Sequence, residues 1–400
     1  MSKTGYAIIG SGFGDEGKGL MTDYLARTLP GRTLNVRCNG GAQAGHTVVD
    51  GEKRHVFGHI GAATFANSNT WLSKRFIVNP FVLYKERVAL KENFGITPDV
   101  GVHTDALVTT IYDVVLNGLR ELSRGSNRHG SCGLGINETV RRSEHEQFRI
   151  TANDLGRIDL DRIINIRDHW FKSQINDIDL TAVDKTVVDE MLTFGEPYFE
   201  LHKLNESRNL FDYIGLPLFD EFDNVVFEGA QGLELDEFLG IFPHVTRSVT
   251  GLPSAIDAAL DLGITEIHPI YVTRSYKTRH GAGPLAHENW PFSIDSILDK
   301  TNITSPWQGK LRYAPLDLQI LNSFISKDYM RAIQEYKSKI CIRDWELAVT
   351  HLDEVFAGIE IYDYNGDRKM VNSIELLDEL SELGNVTYKV DGETANNVNV

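Results

Sequence analysis

Tyr6-Ala7-Ile8-Ile9-Gly10-Ser11-Gly12-Phe13-Gly14-Asp15-Glu16-Gly17-Lys18-Gly19 is the stretch that decides how the rest of the chain is read. Tyr6 to Ile9 is an apolar run of strand length, a glycine cluster follows at once, and residues 20–29 carry apolar side chains at helical spacing. Strand, glycine loop and helix open a nucleotide-binding α/β unit. Gly12 to Lys18 has the G-x-x-x-x-G-K spacing of a phosphate-binding loop, in which backbone N–H groups close around phosphate oxygens and the next helix favours the anion. On this reading Gly14, Glu16, Gly17, Lys18 and Gly19 belong to the phosphate loop. Gly19 stands where Ser or Thr would offer magnesium a hydroxyl, and Asp15 is placed to take that role. A dinucleotide fingerprint fits worse, because Asp15 occupies the position of its third glycine.

Outward from this loop, residues 34–37 form a second strand-length run, leading into Asn39-Gly40-Gly41-Ala42-Gln43-Ala44-Gly45-His46-Thr47. Three glycines and a histidine at a strand end are more than a turn needs, and His46 becomes a candidate acid or electrophile beside the phosphate loop. Further strand-length runs fall at 76–78, 225–227, 267–272 and 340–342, with helical patterns at 253–262 and 316–325. The alternation predicts an α/β fold with a large, mostly parallel central sheet flanked by helices. The charged stretch 154–205 predicts a helical insertion within a single domain spanning 1–400, and is silent about chemistry.

Composition bounds the function. The chain has 400 residues and a formal net charge of -16, which disfavours general binding to a phosphate backbone. Cys38, Cys132 and Cys341 are the three cysteines; their odd number and lack of metal-ligand spacing argue against a disulfide framework. No apolar run approaches the roughly 20 residues that span a bilayer. The expectation is a cytoplasmic enzyme with no nucleic-acid or membrane partner.

Six segments then fall in a telling order: GFGDEGKG (12–19), NGGAQAGHT (39–47), VVFEGAQGLELD (225–236), FPHVTRS (242–248), TRHGAGP (278–284) and THLD (350–353). The ordered set resembles the adenylosuccinate synthetase family. The resemblance implies a ligase that joins L-aspartate to C6 of a 6-oxopurine nucleoside monophosphate at the expense of GTP, with Mg2+ and in a homodimer. It implies that Asp15 removes the N1 proton and contacts the metal, that His46 assists phosphoryl transfer, and that the Gly45 carbonyl meets the metal. A 6-phosphoryl intermediate makes chemical sense, because an amide-like oxygen leaves poorly until it is phosphorylated. Gln43, Gln231 and Thr246 match positions that hold the purine monophosphate. Ser131 and Cys132 stand at its 5′-phosphate, and Arg141 or Arg142 matches an arginine that reaches the neighbouring subunit's nucleotide. Lys310 and Arg312 are the cations left in the aspartate-binding segment 307–312. His351 and Asp353 match the donor-base motif, where a carboxylate accepting from N1–H and the 2-amino group selects guanine and hence GTP over ATP.

The sequence also departs from the family pattern. Gln43 replaces an asparagine, Cys132 a threonine and His351 a lysine, and the aspartate segment is rewritten. RHGSCGLGINET and SPWQGKLR resemble the viral branch, some of whose members act on dGMP. Many of those carry serine where this chain keeps Asp15, which favours IMP as acceptor with dGMP as the alternative. A GTP-sensing regulatory protein is the non-enzyme reading; it would need neither His46 nor a second nucleotide pocket.

Overall fold

The computed structural model describes residues 4–125, 128, 130–193, 195–217, 221–288 and 309–400. β1 (Thr4–Gly10), α1 (Lys18–Thr28) and β2 (Thr33–Arg37) realise the opening strand, helix and second strand. β1 lies inside an 11-stranded sheet, between the parallel strands Glu266–Arg274 and Asn224–Gly232. β2 pairs in parallel with Asn224–Gly232, and beyond it lie Asn69–Leu72, Val100–Val102 and Tyr213–Ile214. On the other side come Glu346–Thr350 and Asn385–Val390, with Val398–Asn399 pairing antiparallel at the edge.

Both faces of this sheet are covered, which is why its strands read as near-continuous apolar runs. Successive side chains of β1 point to opposite faces. Ile8 packs in the cluster that contains Leu20, Met21 and Leu25 of α1. Ala7 and Ile9 pack in the larger cluster with Leu252, Ile256 and Ala259 of helix Leu252–Asp261 and with Leu321 and Ile325 of helix Leu318–Tyr336.

Two expectations shift. Phe76–Ile77 pairs not with the central sheet but with Gly40–Gly41, so this run braces the second glycine motif. The helix expected from 316 begins at Leu318, because Asp317 caps it by accepting the Ile320 N–H at 3.0 Å. Within 154–205 the chain is helical at Leu160–Asn165, Ile166–Phe171, Lys172–Asn176 and Lys185–Thr193, and it enters Pro197–Glu206. Ile163, Trp170 and Phe171 bury there against Tyr112 and Leu116 of helix Ile111–Ser123.

Arg142 takes a structural place and not the ligand-facing one expected of it. It is fully buried, with Nε and Nη2 on the Asp113 carboxylate at 2.9 Å and further bonds to the carbonyls of Phe148 and Val108. Breaking a buried pair from one side leaves an uncompensated charge, at a cost of about 3–5 kcal/mol. Arg142→Met is therefore expected to lower the unfolding free energy by about that amount in urea titrations. A loss below about 1 kcal/mol would show that the pair does not brace this helix.

Candidate active site

Because the central strands are parallel, their C-terminal ends deliver loops to one edge of the sheet, where open α/β sheets bind ligands. The loops after β1, β2, Asn224–Gly232, Glu266–Arg274 and Glu346–Thr350 all meet there.

The first loop turns through Gly14 (φ 124°) and Gly17 (φ 92°), backbone conformations that side chains disfavour. Glu16 fills the loop from within. Its carboxylate accepts the N–H groups of Gly12 at 3.0 Å and Gly14 at 2.8 Å, and pairs with Lys18 Nζ at 3.0 Å. Burial alone would raise Glu16, but Lys18 and the Gly14 N–H outweigh it and hold the carboxyl below its usual range. So the N–H groups of Gly12 and Gly14, which the spacing assigned to phosphate, are taken by an internal anion. The start of α1, with Gly17, Lys18 and Gly19, is what faces the cavity. Gly19 has a packing reason, since a Cβ there would stand 2.8 Å from the His46 Cβ.

His46 is fixed by a buried cluster. Its Nδ1 bonds to Glu228, whose carboxylate also takes Arg37 Nη1 at 3.3 Å and the Ala62 N–H at 3.0 Å. Arg37 donates onward to the Ala44 carbonyl at 3.2 Å. Burial raises Glu228, but Arg37 and His46 overcome this and hold it at about 2. Burial, and then Arg37, push His46 down to about 4, so at neutral pH the ring is uncharged with Nδ1–H toward Glu228. Its buried Nε2 has no hydrogen-bond partner among the described residues.

Two cavities share one wall. The smaller, about 170 Å³, is lined by Lys18, Gly19, Arg54, Arg274, His351 and Asp353 among others. The larger, about 560 Å³, is lined among others by Gln43, Ser131, Cys132, Arg141, Gln231 and Thr246. Gly14, Asp15, Gly45 and His46 line both. Asp15 Oδ2 lies 3.5 Å from His280 Nε2, and its carbonyl accepts from Arg274 Nε. Enclosure raises the Asp15 carboxyl, partly offset by His280 and Arg274.

The expected groupings thus come together at the phosphate loop, the monophosphate positions and the donor-base pair. Of the two candidate arginines, Arg141 lines the larger cavity and Arg142 lines neither. Lys310 and Arg312 also line neither. Lys310 is exposed, and Arg312 pairs with Glu288 at 2.7 Å and ties down the carbonyls of Gly281 and Gly283. Residues 307 and 308 lie outside the described residues. The cation of this neighbourhood that does line the larger cavity is Arg279, stacked over Phe13 and pushed down to about 10 by burial and then by Arg312. Sequence reading missed the roles of Arg37, Glu228, Arg274, Arg279 and His280. Glu228, Arg279 and His280 sit inside quoted motifs, but only the fold shows what they touch.

The His46 environment has a thermodynamic signature. An unfolded histidine titrates near 6.5, so as pH falls from about 6.5 to about 4 the unfolded chain binds a proton that folded His46 refuses. Stability therefore falls across that window. In urea titrations from pH 7 to pH 4, the loss is expected to be shallower for His46→Asn than for the parent protein. Equal slopes would mean that His46 is not held neutral.

Comparison with known proteins identifies the family and the fold. The sequence profile described as adenylosuccinate synthetase matches residues 7–312. The adenylosuccinate synthetase of Clostridium novyi (strain NT) is 30% identical over 328 residues, covering 80% of this chain and 74% of that protein. The structure of fully ligated adenylosuccinate synthetase from Plasmodium falciparum superposes with a TM-score of 0.70 at 17% identity, covering 98% of each chain. A cyanophage S-2L succinoaminodeoxyadenylate synthetase, bound to dGMP and dATP, superposes with a TM-score of 0.61 at 16% identity, covering 100% of this chain and 95% of that one. The chain belongs to the adenylosuccinate synthetase family, carbon–nitrogen ligases that condense aspartate with a purine nucleotide.

Proposed function

We propose that the protein condenses L-aspartate with IMP, using GTP as phosphoryl donor and Mg2+, through a 6-phosphoryl intermediate. The observation that carries this reading is the shared wall: two cavities meet at Asp15 and His46, as transfer from one nucleotide to another requires. Asp15 accepts the N1 proton, which makes the 6-oxygen nucleophilic, and its raised affinity for protons suits a base. The 6-oxygen attacks the γ-phosphate, whose bond to the β-phosphate oxygen breaks to release GDP; the amine of aspartate then adds at C6, gives a proton to solvent and expels the 6-oxygen as inorganic phosphate. His46 Nε2 is left facing the transferred group, and Glu228 is placed to stabilise the ring should it take a proton there. Arg279, from the wall of the acceptor cavity, is the cation we assign to an aspartate carboxylate in place of Lys310 and Arg312.

Among the described residues no group of three or more His, Cys, Asp or Glu is placed to hold a metal. Mg2+ keeps phosphate oxygens and water for most of its shell and asks the protein for one or two hard oxygens. The Asp15 carboxylate and the exposed Gly45 carbonyl meet that demand. When bound, the ion neutralises charge on the phosphate oxygens.

At the base end of the donor cavity Asp353 is exposed, and partial desolvation and then the nearby Asp391 and Glu393 raise its carboxyl. A carboxylate facing the base favours guanine. A homodimer in the cytoplasm completes the reading; Arg141 is the arginine available to a nucleotide, and the scarcity of cysteine suits a reducing compartment.

A second reading places dGMP in the acceptor cavity. Gln43 and Gln231 present buried amide oxygens without partners among the described residues, which suit an exocyclic amino group. The shared fold of the phage enzyme bound to dGMP supports the same reading.

Phosphate release measured with IMP or dGMP against GTP or ATP, with and without L-aspartate, tests both readings. Aspartate-dependent release with IMP and GTP is expected, and Asp15→Ala is expected to lose at least about two orders of magnitude in turnover. If dGMP turns over more than about tenfold better than IMP, a difference of roughly 1.4 kcal/mol, the second reading replaces the first. Equal use of ATP and GTP would remove the donor assignment.

A further inference from the structure

The acceptor cavity has two ends. Asp15 and His46 form the reacting end, shared with the donor cavity, whereas Arg120, Arg141, Ser131 and Glu138 line the acceptor cavity alone. A nucleoside monophosphate with C6 at the reacting end reaches the other end with its 5′-phosphate. There, two arginines from different helices are gripped side by side. Glu138, almost fully buried, lies 3.2 Å from Arg120 Nε and 3.3 Å from Arg141 Nη1. Gln174 Oε1 accepts from Arg120 Nη2 at 2.8 Å and from Arg141 Nη2 at 3.0 Å. Both of its partners are donors, so the atom between them is the amide oxygen.

This arrangement is costly by itself. Two guanidinium groups face one carboxylate, and the second acceptor is a neutral amide. A net positive charge is therefore held in place at the cavity wall of a chain whose net charge is -16. The neighbouring ion pair, Arg124 with Glu121, is balanced one to one. An anion arriving in the cavity relieves the excess, and planar guanidinium groups suit phosphate oxygens.

Gln174 comes from the short helix Lys172–Asn176, inside the segment that sequence reading found silent about chemistry. A π-helical turn, Ile166–Phe171, precedes it, and the extra residue of such a turn resets the phase of the next helix. Phe171 packs on Tyr112 with ring centroids 5.1 Å apart, at the start of the helix Ile111–Ser123 that carries Arg120. The segment is thus anchored to the helix whose arginine it orients.

We propose that Gln174 is a positioning residue, which with Glu138 holds Arg120 as the own-chain arm of a clip for the 5′-phosphate of the acceptor nucleotide and pins beside it Arg141, the arginine matched to a neighbouring subunit's nucleotide. The proposal rests on the acceptor reading above for the placement of the nucleotide.

The test is calorimetric binding of IMP and dGMP, and of inosine and deoxyguanosine, to the full-length protein and two variants. Arg120→Met is expected to weaken monophosphate binding at least about tenfold, the scale of one lost charged hydrogen bond, and to leave nucleoside binding within about twofold. Gln174→Glu keeps an acceptor for both arginines and cancels the excess charge. Its melting temperature is expected to hold or rise while monophosphate binding weakens at least about fivefold, and KM for the acceptor is expected to rise more than kcat falls. A stable Gln174→Glu with unchanged monophosphate binding would overturn the proposal, as would equal weakening of nucleoside and nucleotide by Arg120→Met. Should the parent protein bind the monophosphates but release no phosphate with aspartate, the reaction reading fails and the clip is still judged by these ratios.

Discussion

The active site hangs on a buried carboxylate. Glu228, fully enclosed midway along the strand beside β1, holds His46, Arg37 and the Ala62 N–H at once. Through Arg37 it also fixes the Ala44 carbonyl, so the loop that carries Gln43, Gly45 and His46 is held at two points, Ala44 and His46. A buried ion pair contributes little net stability compared with apolar packing, but it is expensive to break from one side. What it supplies here is position: the imidazole of His46, a residue that lines both cavities, is fixed through its Nδ1. Gly19 contributes by absence, since a side chain on α1 would collide with the His46 segment.

The same logic explains which features were legible in the sequence. The α/β class and the parallel sheet followed from apolar runs alternating with helical patterns, because a sheet buried on both faces leaves little else in its strands. The site loops were legible because glycines and reactive side chains cluster after those strands. Arg142 was misplaced because neighbouring arginines in a helix point in different directions, and only packing decides which one is buried against Asp113 and which lines a cavity; Arg312, at the start of the strand Arg312–Ala314, is taken up by Glu288 and the Gly281 and Gly283 carbonyls. Phe76–Ile77 had strand composition, but its partner is the short Gly40–Gly41 strand and not the main sheet. Glu16 reads as a loop residue beside phosphate, yet its carboxylate satisfies the loop's own N–H groups, a contact that spacing does not encode.

Charge is distributed with purpose. Most arginines of the cavities are matched by carboxylates, as Arg54 is by Glu393 and Arg124 by Glu121. On the proposed reading, the excess positive charge of Arg120 and Arg141 around Glu138 awaits a phosphate, and in phosphoryl transfer such fixed charge and positioning do most of the catalytic work. The helical segment 154–205 belongs to this design through Gln174, although nothing in its composition marks it.

The central claim is that phosphoryl transfer crosses the Asp15–His46 wall onto the oxygen at C6. It is tested most directly by following that oxygen. With IMP carrying oxygen-18 at C6, plus GTP and L-aspartate, the account expects one labelled oxygen in each phosphate released and none left on the purine product. Phosphate released without the label, with the heavy oxygen recovered in water or retained on the purine, would contradict it.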